Sequence, residues 1–124
     1  MPPSVKLQRS EELLTIYLTD VKILDEAGIE RIYKDVIDAL EKTEQPNVLL
    51  DFRVVQFMSS SALGMLIRIH KKCKQFKVVL KLCSISPNIR EVFEITGLNK
   101  ILDIYDDAEA AQEAFKKGSR FFHK

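Results

Sequence analysis

The sequence predicts an α/β domain built around a mainly parallel sheet, and three observations carry that prediction. Apolar runs of strand length alternate with amphipathic runs of helix length through most of the chain. Val48-Leu49-Leu50-Asp51-Phe52 is nearly continuous in apolar residues, as a strand covered on both faces must be. The chain opens instead with two alternating stretches separated by a polar turn, which predicts an antiparallel edge. The expected order is β-β-α-β-α-β-α-β-α, with about five strands and four helices and right-handed crossovers between the parallel strands.

Val5 to Gln8 and Leu13 to Leu18 read as the two opening strands, with Arg9-Ser10-Glu11-Glu12 as the turn. Thr19 to Leu24 shows no period. Asp25 is placed to cap the first long helix, in which Ile29, Ile32, Tyr33, Val36, Ile37 and Leu40 recur at steps of three and four. Charged residues from Glu30 to Glu41 take the opposite face, and the helix stops before Pro46. After the strand at Val48 to Phe52, a second helix runs from about Ser61 to Lys74, and Lys77 to Cys83 forms the next strand. Ser86 caps a short helix with Pro87 at its first position, Ile89, Val92 and Phe93 on its buried side, and Gly97 as its stop. Ile101 to Tyr105 is the last strand. Asp106 and Glu109 stand at capping-box spacing before a final helix that turns Ala111, Ala114 and Phe115 inward and ends at Gly118. Phe121 and Phe122 in the tail are candidates for packing back or for self-association.

At 124 residues with 46% hydrophobic content, the chain is expected to form one domain, 1–124, with its core at about 5–117. A net charge of +1 gives no general reason to expect nucleic acid or an anionic membrane as partner. No apolar run approaches the roughly 18 residues of a spanning helix. Met1-Pro2-Pro3-Ser4 lacks a signal-peptide core, so the expectation is a cytoplasmic protein. Cys73 and Cys83 belong to no CxxC pair and read as reduced, packed thiols.

The sequence offers little to a catalyst. Neither His70 nor His123 sits in an HxxxH or HExxH pattern, so no metal is expected. The four glycines, Gly28, Gly64, Gly97 and Gly118, are too scattered for a phosphate-cradling loop, and no nucleotide or other cofactor is expected. The serines at 59–61 lack the flanking glycines of a nucleophile elbow. Asp106-Asp107 and Glu11-Glu12 read as turn and cap residues, and Lys71, Lys72 and Lys74 as a solvated face. The chain is not expected to be an enzyme.

What remains is Phe57-Met58-Ser59-Ser60-Ser61-Ala62-Leu63-Gly64, three hydroxyls at the corner where a strand gives way to a helix. The first helical turn has unpaired N–H groups and a partial positive charge. A serine there caps the helix, and a phosphate is electrostatically tolerated. Such a corner can carry a covalent change of charge while the fold persists. The plain alternative is that these serines are caps and nothing more.

This octapeptide resembles the signature of STAS domains, specifically the bacterial anti-sigma factor antagonists, whose pattern is roughly Phe-Met-Asp-Ser-Ser/Thr-Gly-Leu-Gly. The resemblance continues at Leu24-Asp25, at Ile85-Ser86-Pro87-Asn88-Ile89-Arg90-Glu91-Val92-Phe93, and at Thr96-Gly97-Leu98 with Ile101, covering about Val5 to Phe115. It implies a STAS-type fold and a regulatory role. It implies as partner an anti-sigma factor that is also a serine kinase, opposed by a serine phosphatase. The implied phosphoacceptor is Ser60, with Ser61 and Ser59 as alternatives, and the implied docking surface is the corner of Ser59, Ser60 and Ser61 with its rim. Met58 and Met65 are candidates for that rim because methionine adapts to varied surfaces, with core packing as the alternative, and Asp25 is a cap that can also lie near it. Two positions depart from the pattern: the family's Asp is Ser59, which removes a negative charge, and its Gly is Ala62.

The implied mechanism is a charge gate. A phosphate adds roughly −1.5 to −2 charges. At a docking surface, a penalty of about 3 kcal/mol weakens association about a hundredfold. The alternative function is a STAS scaffold that is never phosphorylated, an accessory subunit of a transport or signalling complex. A monomer or weak homodimer is expected in either case.

Overall fold

A computed structural model describes residues 4–122 of the chain, with side chains described through residue 117. The opening hairpin pairs β1 (Val5–Arg9) antiparallel to β2 (Leu13–Leu18), and the Ser10 N–H closes the turn on the Leu13 carbonyl at 2.9 Å. Helix α1 (Glu26–Lys42) leads to the central strand β4 (Asn47–Asp51), and α2 (Ser60–Phe76) leads to β6 (Val79–Cys83). The short α3 (Pro87–Thr96) precedes β7 (Ile104–Tyr105), and α4 (Ala108–Phe122) follows. Two further strands, β3 (Lys22–Ile23) and β5 (Phe57–Met58), pair with each other. The main sheet has the order β1-β2-β4-β6-β7, parallel from β2 onward. The expected fold class therefore stands: a mainly parallel five-stranded sheet, four helices and an antiparallel first edge.

That order decides where the helices lie. Each crossover moves one strand further in the same direction, and right-handed crossovers of one direction deliver their helices to one face. Leu14, Ile16, Leu18, Val48, Leu50 and Leu82 meet the apolar stripes of α1 and α2 there, and Ile89 and Phe93 of α3 join the same core. Among the described residues the other face receives only α4, whose Ala111 and Phe115 pack on Leu49 and Cys83. Over β1 and β2 it stays open, as a groove lined by Gln8, Thr15 and Tyr17 beside Phe115.

Local signals explain most boundaries. The Ser86 hydroxyl accepts the Ile89 N–H at 3.4 Å, and Gly97 ends α3 at φ +78°, a conformation that favours glycine. Lys77 takes the same left-handed role after α2, so β6 starts at Val79 and not at Lys77. Both cysteines are free and buried. Burial pushes the Cys73 thiol up to about 12 and the Cys83 thiol to about 11.

Several expectations need correction. Thr19 to Leu24 contains β3, where Ile23 is buried. Val92 is 40% exposed, because the inward stripe of α3 needs only Ile89 and Phe93. The last strand is shorter than Ile101 to Tyr105, since Leu98–Lys100 forms a 3-10 turn and Ile101 is exposed beyond it. Asp107, not Asp106, caps α4 by accepting the Ala110 N–H at 2.8 Å, while Asp106 bonds Arg90 at 2.6 Å. Helix α4 continues through Gly118 to Phe122. The side chains of Phe121 and Phe122, and His123 altogether, lie outside the described residues.

Candidate functional site

The serine corner is built by the second, smaller sheet. Lys22 pairs with Phe57 and Ile23 with Met58 in a parallel ladder. The Gln56 and Phe57 N–H groups bond the Val21 carbonyl at 2.8 and 3.1 Å, and the Ser59 N–H bonds the Ile23 carbonyl at 3.0 Å. Each strand of this ladder runs directly into a helix, β3 into α1 and β5 into α2. The N-terminal ends of α1 and α2 therefore start side by side.

Ser59 is the cap of α2. Its backbone is extended (φ −82°, ψ 168°), its hydroxyl accepts the Ala62 N–H at 3.2 Å, and its carbonyl accepts the Leu63 N–H at 3.2 Å. Aspartate caps helices by the same bond, so the exchange of the family's Asp for Ser59 keeps the cap and loses only the charge. Ser60 and Ser61 are the first two helical residues, and both are exposed. Ala62 is wholly buried, which leaves the hydroxyls as the outward part of the turn.

The other site candidates divide. Met58 is half-buried, with part of its side chain on the core. Asp25 is exposed at the cap position of α1, where its carbonyl accepts the Ile29 N–H at 3.0 Å but its carboxylate makes no capping bond. The carboxylate bends toward Gly28, where a methyl group would lie 2.8 Å from Oδ1. Met65 is corrected: at 1% exposure it belongs to the inward stripe of Ala62, Leu66, Ile69 and Cys73 and is out of a partner's reach. Leu63 is half-buried against the same core.

Sequence reasoning missed the neighbours of the corner. Val21, Leu24 and Phe57 are about half exposed, at 46%, 51% and 47%. Lys22 lies over the Phe57 ring at 5.7 Å. Helix α3 packs against β5 and exposes Val92 and Ile95. Between α1 and α2, the Arg68 guanidinium bonds the Glu30 carboxylate at 2.8 Å and stacks 3.9 Å from the Tyr33 ring centroid. The Glu30 bond raises the Arg68 pKa above its usual value, against the opposing effect of burial. Glu30 and Arg68 stand 38 residues apart, so no local spacing announces the pair.

Elsewhere the charged groups hold the fold. Asp51 is wholly buried at the end of β4 and accepts the Arg53 backbone N–H at 2.9 Å and its guanidinium at 2.7 Å. Lys81 bonds Asp103 and Tyr105 beneath α4. Burial, then Lys74, lower the His70 pKa. Lys71 and Lys74 are exposed and Lys72 is half-buried. Among the described residues, no three of His, Cys, Asp and Glu converge as metal ligands, and no helix is long and apolar enough to cross a membrane.

Fold and corner define a class: a small α/β module that carries three hydroxyls, two of them exposed, where a short accessory ladder meets two helices. The sequence matches the STAS domain family over residues 5–111. It is 32% identical over 94 residues to BtrV of Bordetella bronchiseptica, a protein provisionally named an anti-sigma factor antagonist, with 76% of this chain and 80% of that one aligned. The structure of an anti-sigma-factor antagonist (STAS) domain protein from Planctomyces limnophilus superposes with a TM-score of 0.76 at 26% identity, over 89% of this chain and 95% of that one. The Bacillus cell fate determinant SpoIIAA in its phosphorylated form shares the fold, with a TM-score of 0.64 at 21% identity over 89% and 98% of the two chains. This chain belongs to the STAS domain family, in its group of anti-sigma factor antagonists.

Proposed function

We propose that the unphosphorylated protein binds an anti-sigma factor that is also a serine kinase, and that phosphorylation of Ser60 releases it. The bound kinase transfers the γ-phosphoryl group of ATP to Ser60 Oγ. A new O–P bond forms, ADP leaves, and the hydroxyl proton passes to a base or solvent. A serine phosphatase reverses the change, and sigma-factor-dependent transcription follows the unmodified fraction. Residues 1–124 act as one binding module in the cytoplasm, with no catalysis of their own.

The observation that carries this reading is the exposure of Ser60 on a turn whose cap is supplied by a different residue, Ser59. Its hydroxyl is thus free for modification, and the helix does not depend on it. Asp25, Met58, Ser59 and Ser61 flank it as the docking rim, and the half-exposed Leu24 and Phe57 supply apolar contact area. Occurrence of the phosphorylated form of SpoIIAA on the same fold is in keeping with it. A new dianion at such a rim brings desolvation and like-charge repulsion to the interface while the core is untouched.

The test is incubation with the cognate kinase and ATP, followed by mapping of the modified residue. Phosphate on Ser60 in the wild type and its loss in Ser60→Ala are expected. A chain that binds the kinase and is never modified is instead the non-phosphorylated scaffold.

A further inference from the structure

Ser60 and Ser61 face different surroundings, because successive helical residues are about 100° apart around the axis. Ser61 lines an open groove of about 470 Å³ between α1 and α2, together with Glu26, Ile29, Glu30, Gly64 and Arg68, and Ser60 lies outside it. Positions 61, 64 and 68 recur at steps of three and four and so form one stripe along α2. Gly64 leaves the middle of that stripe open: a methyl group there would meet nothing within 4 Å. Arg68 closes the far end, half-exposed, with one guanidinium nitrogen on Glu30 and its plane over the Tyr33 ring. Helical side chains lean toward the N-terminus, the direction in which Ser61 lies from Arg68. An extended arginine covers most of the roughly 10 Å that seven residues rise along the axis.

We propose that Ser61 is a second modification position with its own destination: a phosphoryl group on its Oγ is seated in the α1–α2 groove by Arg68, which leaves Glu30 to hold it. The inference rests on the reading that a kinase using ATP modifies this corner, and the transfer balances as it does at Ser60. The exchange of partners has a physical direction. A phosphate carries up to two charges and accepts a two-pronged bond from the planar guanidinium, which is stronger than the single hydrogen bond to Glu30 and outweighs the stack on Tyr33, a weak contact at an exposed site. Glu26 and Glu30, the two carboxylates of α1 that line the groove, then face a dianion. The Glu30–Arg68 clasp between the helices opens. A charge on Ser60 acts outward on a partner, whereas a charge on Ser61 acts inward on the pairing of α1 with α2.

Phosphoserine introduced during synthesis of the full chain, at 60 or at 61, tests this without any kinase. Phosphorus NMR follows its second ionisation. With phosphoserine at 61, Arg68→Gln is expected to raise that pKa by about half a unit or more, and Glu30→Gln to lower it. Arg68→Lys keeps the charge and loses the two-pronged bond, so it should fall between Arg68→Gln and the parent. With phosphoserine at 60, each variant should move the pKa by less than about 0.2 units. Amide exchange in the first turns of α1 should quicken with phosphate at 61 and not at 60. A pKa at 61 indifferent to Arg68 overturns the proposal, as does a modified chain that no longer folds. Should phosphoserine at 60 leave kinase binding intact, the proposed function fails and the seat at Ser61 still stands or falls on its own titration.

Discussion

Ile23 and Met58 face each other across a parallel ladder of two residue pairs, and that pairing starts α1 and α2 from neighbouring points. The exposed hydroxyls of one helix end thereby come to lie beside the acidic end of the other, where Asp25 and Glu26 are exposed.

The first prediction concerns Ser60. Ser60→Asp should weaken kinase binding by about a hundredfold or more, since an interfacial charge costs about 3 kcal/mol. Because Ser60 is exposed and is not the cap, its melting temperature should stay within about 2 °C of the wild type. Calorimetric titration and thermal melting check both. Weak binding caused by unfolding would count against the interface account.

Ser59 should behave in the opposite way. Ser59→Ala removes the bond to the Ala62 N–H and should cost about 1 kcal/mol, or a few degrees in melting temperature. Ser59→Asp keeps an acceptor at the cap and should stay within about 0.5 kcal/mol of the wild type. Equal melting of all three proteins would mean that the cap contributes nothing to stability.

Met65 and Phe57 separate core from surface. Met65→Ala should cost about 2–5 kcal/mol by opening a cavity in the α1–α2 core, as urea unfolding reports. Phe57→Ala, at a half-exposed site, should weaken kinase binding tenfold or so with a much smaller loss of stability. A reversal of the two effects would move the docking surface to another face.

The thiols predict a dependence on alkaline pH. Burial raises Cys73 to about 12 and Cys83 to about 11 from an ordinary 9.0, so the folded state holds protons that the unfolded state gives up. Their contribution is fully present below pH 9 and is lost as pH rises toward 11 and 12. Urea midpoints should therefore fall between pH 9 and 10.5, and Cys83→Ala should reduce that slope. At pH 8 the native thiols should react with a disulfide reagent only at the rate of unfolding. Immediate reaction of either thiol would show that it is accessible.

The periodic elements were legible in the sequence because their signals are local. The stripes of α1 and α2, the alternation of Leu14, Ile16 and Leu18, and the Ser86-Pro87 start of α3 each lie within one continuous segment of chain. The ladder of β3 and β5 was not legible, since two residues carry no period and their pairing spans more than thirty positions. The serine corner announced itself by its hydroxyls, but which of them caps the helix depends on where the helix begins, a boundary set by that ladder. Met65 was misjudged for a different reason: methionine suits a partner surface as well as a core, yet its spacing, three after Ala62 and four before Ile69, sets it on the inward stripe of α2. The clasp of Glu30 and Arg68 depends on two helices meeting, and no spacing encodes it.

The corner is positioned by main-chain amides and carbonyls of Val21, Ile23, Gln56, Phe57 and Ser59, none of which depends on the identity of a side chain. The exposed side chains of Lys22, Leu24 and Phe57 can therefore be exchanged without loss of the hydrogen bonds that place the corner. A surface of this kind can change what it recognises while the frame beneath it stays fixed.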